Sequence, residues 1–235
     1  APVTSAVFPF NPRSMLTPGC LTRVSSIGRH ALHNQGQPSE FALIFCKRRN
    51  RINAANEKTR DKIAAAPLRM TAIERIWLEG LAERYETSVD KLDELVRRVD
   101  IVPPSMAIAQ GGVESGWGTS FAARNGNALF GQIQSAGRHS VSVPWTPGAG
   151  MPQPFKDVGE ATDAYIANLN THPAYAGFRA ERAAMRDRGE HPEGYRLIGT
   201  LLRYSERGQG YVQFVRQIMR ENELSDFDKA RLSSF

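Results

Sequence analysis

The chain has 235 residues, 41% of them hydrophobic and 23% charged, which is the composition of a soluble globular protein with room for one large or two small domains. Two cysteines exclude a disulfide-stapled mini-protein and a cysteine-built zinc site, and no apolar run approaches the ~18 residues of a transmembrane helix. The net charge of +6 is uneven: residues 1–67 hold 10 Lys/Arg and 3 Asp/Glu, a balance of +7, whereas residues 68–235 hold 20 and 21, a balance of −1.

Residues 1–40 mix Pro, Ser, Gly and Asn with little periodicity and read as a disordered basic extension. A basic arm suits anionic partners in general, but no aromatic residues interleave its cations, so it does not read as a nucleic-acid module. Pro2, Pro9, Pro12 and Pro18 interrupt the only apolar stretch, so these residues are not a secretion signal. The start at Ala1 implies processing or a fragment. Cys20 and Cys46 are read first as free thiols and second as a disulfide closing a loop.

Residues 41–66 form a weakly amphipathic helical lead-in. Thr71 and Glu74 then make a capping box. The helix it opens carries Ile73, Ile76, Trp77, Leu81 and Tyr85 on one stripe, the face expected to be buried. A short helix at about 88–99 buries Leu92, Leu95, Val96 and Val99. Pro103-Pro104 stops the chain and starts the next helix, since Pro suits a first turn. That helix, Ser105 to Ser115, is apolar on nearly every side and should be the central buried one. Gly111 and Gly112 within it suggest close approach of a neighbouring helix, and Gly116 and Gly118 supply its stop.

Residues 131–154 are rich in Gly, Pro, Ser and Gln and read as loops with one small hairpin through Val141, Val143 and Trp145. Asp157 with Glu160 caps the next helix. Further helices are expected at about 157–171, 174–188, 194–203 and 208–222, the last with Tyr211, Phe214, Val215, Ile218 and Met219 at helical spacing. The fold class is therefore mainly α (α+β), with helices around a small irregular β-lobe. The globular domain spans 67–223, and 224–235 read as a flexible tail.

Glu114 stands out chemically. It ends an apolar helix, where burial and the negative end of the helix dipole both raise a carboxyl pKa. A carboxylic acid still protonated near neutral pH serves as a general acid. Gly116-Trp117-Gly118 beside it suggests an open groove with a flat apolar wall on which sugar rings stack. His139, His172 and His191 lack metal-ligand spacing, and no phosphate-cradling loop or nucleophile elbow is present. No cofactor and no metal are expected.

The run Val102 to Gln110, its continuation Val113-Glu114-Ser115-Gly116-Trp117-Gly118-Thr119-Ser120, and Asn127-Ala128-Leu129-Phe130-Gly131 resemble the glucosaminidase domain of peptidoglycan hydrolases, glycoside hydrolase family 73. Asn168 to Tyr175 and Leu202 to Gly208 are similar to the Bax-like subgroup of Gram-negative bacteria. The resemblance spans about 41–223. It implies a lysozyme-like fold and endo-β-N-acetylglucosaminidase activity on the β-1,4 bonds of peptidoglycan glycan strands. It further implies a periplasmic or cell-envelope location and a monomer without nucleic-acid partners or stable membrane insertion. Glu114 matches the family's general acid, and Tyr204 an aromatic residue beside the reacting sugar. Trp117, Asn127, Phe130 and Gln132 make the candidate substrate-binding set, with Phe130 expected to pack rather than touch sugar.

One departure concerns the second carboxylate. Many family members carry a Glu in the β-lobe, but residues 126–156 contain no Asp or Glu. An ordinary glycosidase uses two carboxylates. The substrate's own N-acetyl group, or an acid from elsewhere such as Glu206, remains open as a replacement. So do a lytic transglycosylase, which manages with one Glu, and a catalytically impaired domain that only binds glycan.

Overall fold

The computed structural model describes residues 56, 58–61, 63, 71–133 and 152–229. The expected basic extension, most of the lead-in and the expected hairpin at 141–145 lie outside them. The described residues are mainly α-helical, as a lysozyme-like domain requires, and contain no strand. One isolated antiparallel bridge joins Ile133 to Pro152 on the flanks of the expected β-lobe.

Helix α1, Ala72–Arg84, begins on the expected capping box: the Thr71 hydroxyl accepts from Glu74 N (3.3 Å) and Glu74 Oε2 accepts from Thr71 N (2.9 Å). Its buried face shares only Leu81 with the expected stripe. Leu78, Leu81 and Ala82 are buried, while Ile73, Ile76 and Trp77 are 80%, 69% and 38% exposed. The inward face is turned by about 90° from the stripe, because it follows its partners: Leu95 and Val99, from and just after α2 (Leu92–Arg98), and Ile63 complete a small second core.

The larger core gathers around α3, Pro104–Ser115, whose residues from Pro104 to Gly112 are all buried. α3 packs against α7 (Gly194–Leu197), α8 (Gln209–Glu221) and a 3-10 helix at Leu224–Lys229. A buried polar knot ties the two cores together. Asp100 accepts from Arg186 Nη2 (2.8 Å) and Ile101 N (2.7 Å). Arg182, fully buried, donates to the carbonyls of Ile101 and Arg97 and to Asn170 Oδ1. Burial lowers the Arg182 pKa to about 10.

Helix α4, Phe121–Gly126, was not anticipated in the sequence; Ser120 caps it by accepting from Ala123 N. α5, Val158–Thr171, starts on Asp157, which accepts from Glu160 N (2.8 Å) as expected. α6 runs Ala176–Asp187. The helix expected over 194–203 is only α7 and a 3-10 turn, Ile198–Thr200, because a loop follows up to Gly208 at φ +50°. Residues 224–229, assigned by sequence to a flexible tail, are packed. Leu224 is buried, and the buried Asp228 carboxylate accepts from Ser105 N, Ser105 Oγ and Gly194 N, each at 2.8 Å. Asp228 thus caps α3 and α7 from a distant part of the chain.

Candidate active site

The site forms where α3 ends. Gly116 terminates the helix in the left-handed conformation, φ +58°. Trp117 follows at φ +56°, a conformation costly for a bulky side chain, of order 1–2 kcal/mol. The turn is held by Trp117 N donating to Gly112 O (2.8 Å) and Gly118 N donating to Ser115 Oγ (2.8 Å). The half-buried indole lies on Gly112, where a Cβ would meet ring carbons at 2.9–3.0 Å. Gly112 therefore makes room for Trp117, not for a neighbouring helix as the sequence suggested. Trp117 also packs against the main core, so the residue expected as an open wall is in part a packing element.

Glu114, half-buried, projects toward the turn of Asn127 to Gly131. Gly131 has φ +65°, and a Cβ there would stand 2.6 Å from Glu114 Oε2. Only glycine suits both the backbone and the carboxylate. Burial raises the Glu114 pKa, while a hydrogen bond from the Tyr211 hydroxyl and the charge of Arg207 restrain that rise. The raised direction is the one expected of a general acid.

Tyr204 and Tyr211, the aromatic residues that interact with this carboxyl, belong to a larger aromatic cluster. Tyr204 and Tyr211 stack with centroids 5.6 Å apart, Tyr175 lies 6.0 Å from Tyr204, and Phe130 stacks on Tyr165 at 4.1 Å. The Tyr204 hydroxyl donates to Phe130 O at 2.7 Å, so its proton is committed to the turn rather than to a ligand. Burial and the neighbouring tyrosines and Glu114 hold its pKa far above the usual value. Tyr211, expected only as a core residue, is the group that bonds Glu114 directly, and burial raises its pKa. A further buried bond links Tyr211 to Gln110, whose Nε2 donates to the phenol oxygen at 3.0 Å. A lone amide in an otherwise apolar helix was the signal for this pair, because buried amides demand partners.

The remaining candidates divide. Asn127 sits at φ +50° as the cap of α4, and its Nδ2 donates to the carbonyls of Phe155 and Lys156, clipping two loops together. Phe130 is 1% exposed, so it is core and not a substrate contact; Leu129 is buried with it. Gln132 is half-buried beside Gly131, and its buried Oε1 has no hydrogen-bond partner among the described residues. Glu206 is exposed. Asp157 and Glu160 are occupied by the start of α5, Glu160 Oε2 accepting from Lys156 N at 2.6 Å. Among the described residues no group of three His, Cys, Asp or Glu has metal-site geometry, and no helix is long and apolar enough to cross a membrane.

Residues 89–224 match the model of a family described as glucosaminidase, mannosyl-glycoprotein endo-beta-N-acetylglucosaminidase. Protein bax of Escherichia coli (strain K12) is 36% identical over 156 residues, 64% of this chain and 56% of that protein. The chain thus spans little more than half the length of this curated relative. No solved structure matches it.

Proposed function

We propose that this chain, which belongs to the glucosaminidase family, is an endo-β-N-acetylglucosaminidase that hydrolyses β-1,4 bonds of peptidoglycan in the periplasm or cell envelope, with Glu114 as the general acid. The observation that carries the reading is the placing of Glu114: half-buried, raised in pKa, hydrogen-bonded to Tyr211 and seated against Gly131. Protonated Glu114 gives its proton to the glycosidic oxygen as the C1–O bond breaks. The residues between 126 and 156 offer no carboxylate to meet the positive charge on C1. The carbonyl oxygen of the substrate's own N-acetyl group attacks C1 instead and forms an oxazolinium ring. Water then opens that ring and gives its proton to the Glu114 carboxylate, which restores the acid. Tyr204 acts through the turn: its bond to Phe130 O holds Gly131 against Glu114.

The test is hydrolysis of purified peptidoglycan by the full chain and by Glu114→Gln. The variant keeps shape and loses the proton, so activity should fall roughly 100- to 10,000-fold. Retained activity refutes the assignment. Analysis of the released ends separates a second reading, favoured by the same lack of a β-lobe carboxylate. Reducing ends mean hydrolysis, and anhydro ends mean a transglycosylase, in which the sugar's own hydroxyl closes on C1. A thiazoline mimic of the oxazolinium should inhibit the hydrolase.

A further inference from the structure

We propose that Gln110 and Tyr165 are positioning residues for Glu114: locked together, they turn the Tyr211 hydroxyl so that its proton always points at the Glu114 carboxyl. This rests on the reading of Glu114 as the acid. The geometry is two buried bonds that run in one direction and end on the phenol oxygen of Tyr211, the hydrogen-bonding neighbour of Glu114. The Tyr165 hydroxyl donates to Gln110 Oε1 at 2.9 Å. Gln110 Nε2 donates to the Tyr211 oxygen at 3.0 Å. Tyr211 is in turn the side chain whose hydrogen bonding most restrains the rise in the Glu114 pKa. Gln110, Tyr165 and Tyr211 are all at most 2% exposed, so no solvent re-satisfies a broken link.

The amide sets the direction because its two ends differ: one accepts and the other donates. Turned by 180°, its oxygen would face Tyr211 and draw that proton away from Glu114. The ionised carboxylate would then lose its donor in a partly buried site, which is unfavourable. In the protonated acid, the oxygen that accepts from Tyr211 is not the one that carries the proton. The proton therefore sits on the other oxygen, free to reach a leaving group. Tyr165 is anchored by its stack on Phe130, in the same turn that holds Gly131 against Glu114. The polar chain and the glycine turn thus fix the carboxyl from two sides. Among the described residues, the other charged or titratable groups that act on Glu114 are Tyr204 and Arg207.

The experiment is carboxyl carbon-13 NMR of the full chain labelled at glutamate, with Glu114 identified by its loss in Glu114→Gln. Tyr211→Phe should raise the Glu114 titration midpoint by roughly 0.5–1 pH unit, since a hydrogen bond to the ionised form is lost. Tyr165→Phe, which does not touch Glu114, should raise it by about 0.3 unit, because the freed amide now samples the reversed orientation. A folded Tyr165→Phe with an unmoved midpoint overturns the proposal. A second measurement needs no variant. In the wild type, nuclear Overhauser contacts from the Gln110 side-chain NH2 should reach the Tyr211 ring. Contacts to the Tyr165 ring alone overturn the proposal as well. Neither readout needs turnover, so retained activity in Glu114→Gln would refute the acid assignment and leave the positioning result to stand or fall separately.

Discussion

Two groups meet at Glu114 without a gap: its own carboxylate oxygen and the bare α-carbon of Gly131. Gly131→Ala should therefore push the carboxyl out of place and strain the φ +65° backbone. A displacement of about 1 Å at a reacting group lowers rate by up to ~100-fold, so kcat/KM on peptidoglycan is expected to fall roughly 10- to 100-fold. Activity within twofold of wild type would show that the contact does not matter. Glu114 also carries a stability signature. Its folded pKa lies above the ordinary 4.5, so the folded state holds a proton that the unfolded state has released. Its contribution is fully present below about pH 4.5 and is lost as pH rises through the folded value. Glu114→Gln should thus raise the melting temperature at neutral pH, and the gain should shrink as the pH approaches 4. An equal gain at both pH values would mean that the carboxyl is not desolvated.

Among the helices, α3 depends on a residue far from it in sequence. Asp228→Ala removes three hydrogen bonds to a buried carboxylate and leaves Ser105 N and Gly194 N without partners. Bonds to charged groups are worth about 1.5–3 kcal/mol each and are not additive, so a loss of roughly 3 kcal/mol in urea unfolding is expected. An unchanged midpoint would mean the clasp is ornamental. Asp228 was illegible in the sequence, where 224–235 follow the last strong helical period and read as tail; nothing local marks an acid whose partners lie 34 and 123 residues away. By contrast, the Thr71–Glu74 and Asp157–Glu160 caps were legible because every atom involved lies within four residues. α1 was misread for an intermediate reason. It is apolar around more than half its circumference, and only Ile63, Leu95 and Val99 decide which part turns inward. In the site, Glu114 and Gly131 were visible as motif residues. Tyr211 was hidden inside a hydrophobic stripe, where its ring belongs to the core and only its hydroxyl to the chemistry.

Over the whole molecule, the family match begins at residue 89, yet the packing does not. Leu78, Leu81 and Ala82 lie N-terminal to it and cover Leu95 and Val99. Each buried leucine is worth about 2–3 kcal/mol. A chain shortened to residues 89–224, which also lacks Asp228, should lose cooperative thermal unfolding in calorimetry; a sharp transition near that of the full chain would contradict this. Acid attacks the same joint. Burial alone would raise the Asp100 pKa, but Arg182, Arg186 and the Ile101 N–H outweigh it and lower the value below the ordinary 3.8. Its stabilisation is present above about pH 3.8 and is lost as pH falls through the folded value. Asp100→Asn should therefore be least stable relative to wild type at neutral pH, with the difference narrowing in strong acid.

The Asp228 clasp also imposes an order on biosynthesis. Ser105 waits for a partner 123 residues downstream, and ribosomes add roughly 5–20 residues per second. The helix that carries Glu114 is made early but acquires its N-terminal lock only once residue 228 has cleared the exit tunnel. A nascent chain stalled before that point should be digested within α3 by added protease, and one released after it should resist. Protection of α3 in both would show that the helix is secured before the clasp closes. Late locking leaves the helix that carries Glu114 without its clasp until residue 228 is available, so a chain terminated before that residue is expected to be a target for quality-control proteolysis rather than an unregulated hydrolase.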